Sequence, residues 1–358
     1  MGKGIDDAVI AIDFFCGGGG ITKGLMNSGI KVLGGFDCCN DYRDTYEKNN
    51  RCKFNSMDIR DVEKTYIYSE FPEIERKEDD LLLAGCAPCQ PFSSQRRAQN
   101  EHTDVNLLIE FGRIVECIRP EHALVENVPG LKGKGKAVFS AFLKTLEDCG
   151  YFYAYKVINA KDYGVPQNRN RLALIASRFF RPIIPEGTYG KDKLPYATVR
   201  DAIAHYPPIK AGEDCISIPN HKASSLSDIN MERIVATPHS GGDRRAWPKH
   251  LILACHNNGH KGHTDVYGRM DWEKVSPTLT ARCYSLSNGR YGHPEQDRAI
   301  SLREAATIQS FPDEYVFYGN TMSIGKQIGN AVPVRLAEEL GKYIVRKAKN
   351  IQLEINDV

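Results

Sequence analysis

A cysteine between two prolines is the first group in the sequence that is suited to covalent chemistry. Cys89 lies in the run Gly85-Cys86-Ala87-Pro88-Cys89-Gln90-Pro91, directly after the apolar segment Leu81 to Ala84. The prolines restrict the backbone, so the thiol can be held in one pose. If the apolar segment is a strand, the loop lies at the edge of a sheet where ligands bind. The pattern favours Cys89 as a nucleophile.

Two other interpretations of this loop remain open. Cys86 and Cys89 could form half of a zinc site, or a redox pair of the thioredoxin type, since Cys-Ala-Pro-Cys is close to that pattern. Zinc needs a second pair of ligands, and the adjacent residues Cys38 and Cys39 are not spaced as one. A redox motif normally opens a helix, which Pro91 disfavours.

Glu126 is a candidate acid. It follows the apolar run His122 to Val125 and begins the segment Glu126-Asn127-Val128-Pro129-Gly130. If that run is a neighbouring parallel strand, the carboxyl group faces the same crevice as Cys89 and can donate a proton there. The alternative is a carboxylate that only caps a turn.

A glycine-rich turn predicts a cofactor site. Gly17 to Gly20 separate the apolar run Ala8 to Phe15 from a helical pattern at Ile21 to Ser28. Glycines let the backbone approach a ligand, and a helix N-terminus adds positive potential. Asp37 ends the next apolar run, where an acidic residue commonly binds ribose hydroxyls. Thr22 stands where a Gly-x-Gly-x-x-Gly pattern needs its last glycine, so a purely structural turn remains the alternative.

The elements that must position these groups alternate between strand and helix in the first half of the chain. Further strands are predicted at Lys31 to Phe36, near Val157 and Ile158, and at Leu172 to Ala176, with helices through Tyr46, at Val105 to Ile118 and at Ala137 to Leu146. Such alternation predicts an α/β fold, Rossmann-like, with a mostly parallel sheet covered by helices.

The character of the sequence changes after about Arg178. Proline becomes frequent and periodicity fades, which predicts a smaller irregular domain over residues 178–320. Helical patterns return at Leu302 to Gln309 and at Val334 to Lys347. We therefore expect residues 1–177 and 321–358 to form the first domain, to which the C-terminal helix returns.

Composition excludes several classes of protein. No stretch of the 358 residues approaches the roughly 18 consecutive apolar residues of a membrane helix. The 11 cysteines are scattered and no secretory signal precedes them, so reduced thiols in a cytoplasm are expected. The net charge is only +2, although Lys and Arg outnumber Asp and Glu by 17 to 13 between positions 178 and 298. That mild bias is compatible with phosphate contacts.

Five ordered motifs together resemble the DNA cytosine-C5 methyltransferases of bacterial restriction-modification systems. They are Phe15-x-Gly17-x-Gly19, Pro88-Cys89-Gln90, Glu126-Asn127-Val128, Gln167-x-Arg169-x-Arg171 and Gln327-Ile328-Gly329-Asn330-Ala331-Val332-Pro333. The segment Arg303-Glu304-Ala305-Ala306 with Phe311-Pro312 resembles the element before the last one. The resemblance spans roughly Ile10 to Tyr343.

The resemblance implies roles for particular residues. Cys89 is the expected nucleophile, Glu126 contacts the cytosine, and Arg169 and Arg171 hold the base and nearby groups. S-adenosylmethionine is the implied cofactor, with S-adenosylhomocysteine as product and no metal. The residues expected to line its site are Phe15, Gly17, Gly19, Gly20, Asp37, Asp58, Ile59, Leu107, Asn330 and Val332.

The implied partner is double-stranded DNA. The segment Ser93 to Asn106, with Ser93 and Gln95, is expected to close over the DNA, and residues 178–320 to recognise the target sequence. Side-chain chemistry adds Arg244, Arg245, Arg282 and Arg290 as expected DNA contacts. The run from Ser276 to Arg282 resembles the family's Thr-Leu element, which implies that Thr278 and Leu279 help to occupy the gap left by the flipped base. A monomer associated with the nucleoid, and a restriction endonuclease paired with it only in function, complete the expectation.

The sequence departs from the family's pattern at two positions, and three other functions remain as alternatives. The family usually has Glu at the position of Asp37 and a large aromatic residue at that of Cys38. One branch of the family methylates tRNA, but it usually has Thr at the position of Ser93 and lacks a long target domain. The second competing function is that of a nicotinamide or thiol-redox enzyme, and the third is that of a catalytically dead DNA-binding regulator.

Overall fold

A computed structural model of the chain describes residues 9–88, 106–256 and 265–356. It divides into two compact units. The first unit comprises Met1–Asn159, Asn170–Gly187 and Val332–Val358, and the second comprises Ala160–Arg169 and Thr188–Ala331. These limits assign residues 321–331 to the second unit, whereas the sequence placed them with the first domain.

The first unit is built on a sheet of seven strands in the order β3-β2-β1-β4-β5-β7-β6. The strands are β1 (Val9–Phe14), β2 (Lys31–Asp37), β3 (Lys53–Ser56), β4 (Asp80–Gly85), β5 (His122–Asn127), β6 (Phe152–Asn159) and β7 (Asn170–Ser177). The first five are parallel, while β7 pairs antiparallel with both β5 and β6. The expected mostly parallel α/β sheet is confirmed.

Helices cover this sheet because their apolar residues recur at helical spacing. They are α1 (Gly20–Asn27), α2 (Arg43–Asn50), α3 (Lys64–Glu70), α4 (Glu73–Arg76), α5 (Leu107–Ile118) and α6 (Lys136–Asp148). In α5 the buried residues include Leu108, Phe111, Val115 and Ile118, which form one face. They join the central strands in one apolar core. Burial of both sheet faces explains why β1 is apolar throughout most of its length.

The C-terminal helix α11 (Val334–Asn356) packs against α1 at glycine contacts. A Cβ atom on Gly24 would lie 2.5 Å from the Ala337 Cβ, and one on Gly341 would lie 2.4 Å from the Ser28 Oγ. The two helices therefore approach more closely than larger residues would permit. This contact attaches α11 to the first unit.

The second unit has little regular structure. Its helices are α7 (Val199–Ile203), α8 (Asp228–Val235), α9 (Leu302–Ile308) and α10 (Thr321–Asn330), and its described residues contribute no strand to the sheet. Buried arginines hold its loops together by donating hydrogen bonds to backbone carbonyls. The guanidinium of Arg269 donates to the carbonyls of Ile234, Thr237 and His293 at 2.8 to 3.0 Å, and that of Arg303 donates to Pro219 and Tyr315.

Two kinds of feature are missing from the described ranges. No helix there combines the length and apolar character needed to cross a bilayer. No cluster of three or more His, Cys, Asp or Glu side chains in those ranges could hold a metal ion.

Candidate active site

The carboxyl ends of the parallel strands place several candidate residues of the first unit at one edge of the sheet. From β1 the chain moves to β2 and β3 on one side, and β4 and β5 lie on the other side. The strand order therefore reverses between β1 and β4, and in open α/β sheets the ligand crevice lies at such a point. The glycine turn after β1 and the loop that leads to Cys89 after β4 flank this reversal.

The glycine turn has a backbone that suits close approach by a ligand. Phe15, Gly17 and Gly19 have positive φ angles of 59°, 51° and 85°. A positive φ is uncommon for a non-glycine residue, and such strain concentrates at functional sites. A Cβ atom on Gly17 would meet no atom within 4 Å, so the turn faces open space. Gly20 begins α1, whose N-terminus has no side-chain cap.

Asp37 connects two loops of the first unit. Its Oδ2 accepts a hydrogen bond from the Gly17 N–H at 3.0 Å, and its Oδ1 accepts one from the Cys39 N–H at 2.9 Å. Burial raises the pKa of this carboxyl, and the two N–H groups oppose that rise. The carboxylate therefore fixes the glycine turn against the end of β2, a role that the sequence did not indicate.

The other predicted cofactor residues of the first unit have varied surroundings. Asp58 forms two hydrogen bonds with the guanidinium of Arg60, at 2.8 and 2.6 Å, and these lower its pKa. Ile59, Leu107 and Val332 are buried.

Glu126 lies at the centre of a polar cluster. It is the fifth residue of β5 and is only 3% exposed. The Cys86 thiol donates to its Oε2 at 3.0 Å, and the Nε of Arg171 lies 3.0 Å from its Oε1. That Oε1 is buried and accepts no well-directed hydrogen bond from the described residues. The structure thus brings together Glu126 and Arg171, two of the predicted catalytic residues.

The strand ends on either side of this cluster are bound to each other. The Asn127 side chain donates to the Ala87 carbonyl at 3.3 Å, and the Cys86 N–H donates to the Phe14 carbonyl at 3.3 Å. The ends of β1, β4 and β5 are therefore held in fixed register. Cys89, which comes two residues after Ala87, lies outside the described residues, as do Ser93, Gln95 and most of the segment from Ser93 to Asn106.

Arg169 is buried in the second unit, where it binds backbone. Its guanidinium donates to the carbonyls of Leu279, Gly329 and Ala331 at 2.9, 3.2 and 3.0 Å. The Thr278 hydroxyl donates to the Asn168 carbonyl at 2.6 Å, and Leu279 is 1% exposed. These contacts hold the segment around Thr278 and the end of α10, where Asn330 is exposed.

The arginines predicted to contact DNA differ in how strongly they are bound within the second unit. Arg290 donates to the carbonyls of Gly241 and Gly242 and pairs with Asp265, so the structure uses it internally. Arg245 is exposed and pairs with the buried Asp243, and Arg244 lies 3.3 Å from a ring nitrogen of His256. Arg282 is exposed.

Comparison with known protein families identifies the family of this chain. The sequence matches the C-5 cytosine-specific DNA methylases from residue 9 to residue 346. The chain belongs to this family. It is therefore a DNA cytosine-5 methyltransferase, and the resemblance seen in its motifs is confirmed.

Relatives of the methylase include enzymes named as Type II methylases or methyltransferases. It is 40% identical over 343 residues to the Type II methylase M.HgiDII of Herpetosiphon aurantiacus, with 94% of each chain covered. It is 32% identical to the Type II methyltransferase M1.HphI of Haemophilus parahaemolyticus, covering 95% of this chain and 87% of the relative.

Solved structures share the fold. One is described as a candidate DNA modification methyltransferase encoded within an E. coli prophage, with a TM-score of 0.71 and 22% identity, covering 94% of this chain and 99% of the other. Another is the Entamoeba histolytica methyltransferase EhMeth, with a TM-score of 0.63 and 16% identity, covering 95% and 98%. At these identities the likeness establishes the α/β fold alone.

Proposed function

We propose that this methylase transfers the methyl group of S-adenosylmethionine to C5 of a cytosine in a specific double-stranded DNA sequence. Cys89 is the nucleophile in this proposal, and Glu126 is the acid that binds the ring. The observation that supports it most strongly is the cluster of Cys86, Glu126 and Arg171 at the point where the strand order reverses.

The short stretch of chain between Ala87 and Cys89 supports the proposed pairing of Cys89 with Glu126. Asn127 binds the carbonyl of Ala87, and only Pro88 separates Ala87 from Cys89. Two peptide units span at most about 7.6 Å between Cα atoms. This short connection is compatible with the proposed pairing of Cys89 with Glu126.

The groups at the glycine turn fit a nucleoside-type cofactor. The turn faces open space at Gly17, has positive φ angles at three positions, and leads into a helix N-terminus without a side-chain cap. We propose that Phe15, Gly17, Gly19, Gly20, Asp37, Asp58, Ile59, Leu107, Asn330 and Val332 hold S-adenosylmethionine. When bound, this cofactor supplies a methyl group with the electrophilic character that a sulfonium confers.

Cytosine needs activation before its C5 can accept a methyl group. In the proposed reaction a bond forms between the Cys89 thiolate and C6, which makes the ring enamine-like at C5. Glu126 stabilises the charge that develops at N3 by donating a proton or a strong hydrogen bond. Arg171 is positioned 3.0 Å from the other carboxyl oxygen and orients the acid. After C5 gains the methyl group it loses its proton, and the bond between Cys89 and C6 breaks.

The target base has to leave the stacked duplex to reach this crevice. Extrusion costs a few kcal/mol, which contacts with the protein must offset. The second unit is proposed to supply those contacts and to recognise the target sequence. Among its residues, Arg282 and Arg244 remain candidates for DNA contacts, as do the segments around Arg245, Thr278, Leu279 and Arg290.

The names of the relatives support a biological role. Two relatives that match nearly the whole chain are called Type II methylases. We propose that the enzyme protects DNA in a restriction-modification system, as a cytoplasmic, nucleoid-associated monomer whose endonuclease forms no stable complex with it.

Bisulfite sequencing of DNA from cells that express the methylase tests this function. The expected result is methylation of one cytosine within a single short sequence throughout the chromosome. Cells that express Glu126→Gln are the control and should lack that pattern. Methylation found only in tRNA from the same cells would contradict the proposal and favour the RNA-methylating branch of the family.

A further inference from the structure

The acid of the proposed reaction has a different partner on each oxygen. Arg171 approaches Oε1 of Glu126, and the Cys86 thiol donates to Oε2, each at 3.0 Å. Glu126 is almost fully buried, so its carboxylate cannot exchange these partners for bulk water. The sequence singled out Cys86 only as the first half of a Cys-x-x-Cys pair.

The backbone fixes the position of the thiol. The Cys86 N–H donates to the carbonyl of Phe14, and the next residue, Ala87, accepts from Asn127. Cys86 is therefore held between β1 and β5, directly beside the carboxylate. The contact with Glu126 is built into three strand ends and does not depend on a surface side chain.

The two partners differ in strength. A guanidinium prefers to bind both oxygens of a carboxylate, in a charge-assisted pair about twice as strong as a neutral hydrogen bond. A thiol is a weak donor. With the thiol on Oε2, Arg171 lies against Oε1, where its contact is not a well-directed hydrogen bond. Because the thiol is a weak donor, it is the partner that an incoming N–H group can displace at least cost.

We infer that Cys86 is a positioning residue for Glu126. It keeps Oε2 from pairing with Arg171 in the free enzyme and leaves that oxygen available to the ring edge of the target base. This inference rests on the proposed role of Glu126. It assigns a function to a thiol that is separate from the proposed nucleophile.

The test uses three variants of the full-length enzyme. Cys86→Ala removes the donor, Cys86→Ser replaces it with a hydroxyl, and Cys117→Ala removes an exposed thiol on α5 as a matched control. Methyl transfer to duplex DNA is measured as kcat and KM, together with binding of S-adenosylhomocysteine and the melting temperature.

Loss of one hydrogen bond corresponds to about a two- to tenfold change in rate. We expect Cys86→Ala to lower kcat by that factor, with KM, S-adenosylhomocysteine affinity and melting temperature near those of the wild type. Cys86→Ser should recover at least half of the loss, and Cys117→Ala should behave as the wild type.

Three results would overturn the inference. They are an unchanged kcat in Cys86→Ala, a loss that serine does not rescue, and a parallel loss of S-adenosylhomocysteine binding, which indicates a general structural defect. Failure of the wild-type enzyme to methylate DNA is a different outcome, because it contradicts the proposed function itself.

Discussion

Glu126 is distinguished from other acidic residues of the first unit by its place on β5. Replacing its carboxyl group with an amide, as in Glu126→Gln, removes the proton donor while keeping the size of the side chain. General acid catalysis contributes about 100- to 10,000-fold, so we expect turnover to fall by at least about 100-fold. Steady-state methyl transfer to duplex DNA measures this effect.

Glu121→Gln is the matched control for that experiment. Glu121 directly precedes the first residue of β5 and pairs with Arg178 at 2.6 Å, much as Glu126 pairs with Arg171. It has no place in the proposed chemistry, so its variant should keep wild-type turnover. Equal rates for Glu126→Gln and the wild type would remove the acid role of Glu126.

Asp13 is expected to make the stability of the first unit depend on pH. Burial raises the pKa of its carboxyl from 3.8 to about 7, against the opposing hydrogen bonds from Thr22. The folded state therefore binds a proton more tightly than the unfolded state. This contribution to stability is complete below about pH 4 and is lost as the pH rises towards 7.

Asp13→Asn should remove this pH dependence. One pKa unit corresponds to about 1.4 kcal/mol. As the pH rises from 4 to 8, we therefore expect the free energy of unfolding of the variant to increase by a few kcal/mol relative to that of the wild type. Urea unfolding at a series of pH values measures the difference. Asp148→Asn, at an exposed position on α6, is the control, and a difference between Asp13→Asn and the wild type that does not change with pH would contradict the account.

Single residues could be predicted from the sequence where a motif fixes their chemistry. The pattern around Glu126 predicted a carboxyl group near the end of a strand, and the structure has Glu126 in β5 with Arg171 beside it. The bonds from Asp37 to Gly17 and Cys39, and from Cys86 to Glu126, could not be predicted. They join residues about 2 to 40 positions apart, and only the folded sheet shows which of these side chains meet.

Buried arginines determine how the elements of the second unit are held, because its described residues lack a sheet ladder. Arg169→Lys tests this. Lysine presents a compact ammonium and cannot reproduce the planar fork that reaches Leu279, Gly329 and Ala331. Leaving buried carbonyls unpaired costs about 1 to 3 kcal/mol each, so we expect a loss of about 2 kcal/mol in the free energy of unfolding.

Arg282→Lys provides the comparison within the same unit. Arg282 is exposed, and its lysine variant should unfold at the wild-type denaturant concentration. Hydrogen exchange should be faster at residues 279 and 329–331 in Arg169→Lys alone. Equal stability of the two variants would show that the buried guanidinium does not hold these segments.

Elements with strong apolar patterns were predictable, and short polar ones were not. The strand at Leu81 to Ala84 is confirmed within β4, and the helix at Val105 to Ile118 is confirmed from Leu107. Strand β3 was missed because its four residues, Lys53–Ser56, include only one large apolar side chain. Helix α10 was missed because its glycines lower the helical propensity of the sequence.

Those glycines have a packing reason that only the folded second unit reveals. A Cβ atom on Gly329 would lie 2.1 Å from the Thr280 carbonyl group, and one on Gly325 would lie 2.4 Å from the ring of Tyr284. The helix lies directly against the segment from Thr280 to Tyr284. The glycines that make the sequence of α10 resemble a loop therefore allow this helix to pack closely against its neighbour.

Across the whole molecule, the division into two units predicts that target choice can be exchanged separately from chemistry. The sequence placed target recognition at residues 178–320, but Arg178 pairs with Glu121 and the Ile183 N–H donates to Tyr343 within the first unit. We therefore place the junctions of an exchange at residues 188 and 331, the limits of the longer segment of the second unit.

A chimera that carries the corresponding segment of M1.HphI should methylate the target sequence of the donor enzyme. Bisulfite sequencing of DNA from cells that express the chimera identifies the methylated site, and the unaltered enzyme is the control. A chimera that is active on the original sequence would place recognition outside the second unit.

Covalent attachment of the enzyme to its target base is the central claim, and trapping tests it most directly. A duplex with 5-fluorocytosine at the target position blocks the last proton loss, because C5 carries fluorine. Incubated with S-adenosylmethionine, the wild-type enzyme is predicted to form a stable adduct that survives denaturing electrophoresis, and Cys89→Ser to bind the duplex without forming it. An adduct of equal yield with Cys89→Ser, or no adduct from a wild-type enzyme that methylates the normal duplex, would contradict the account.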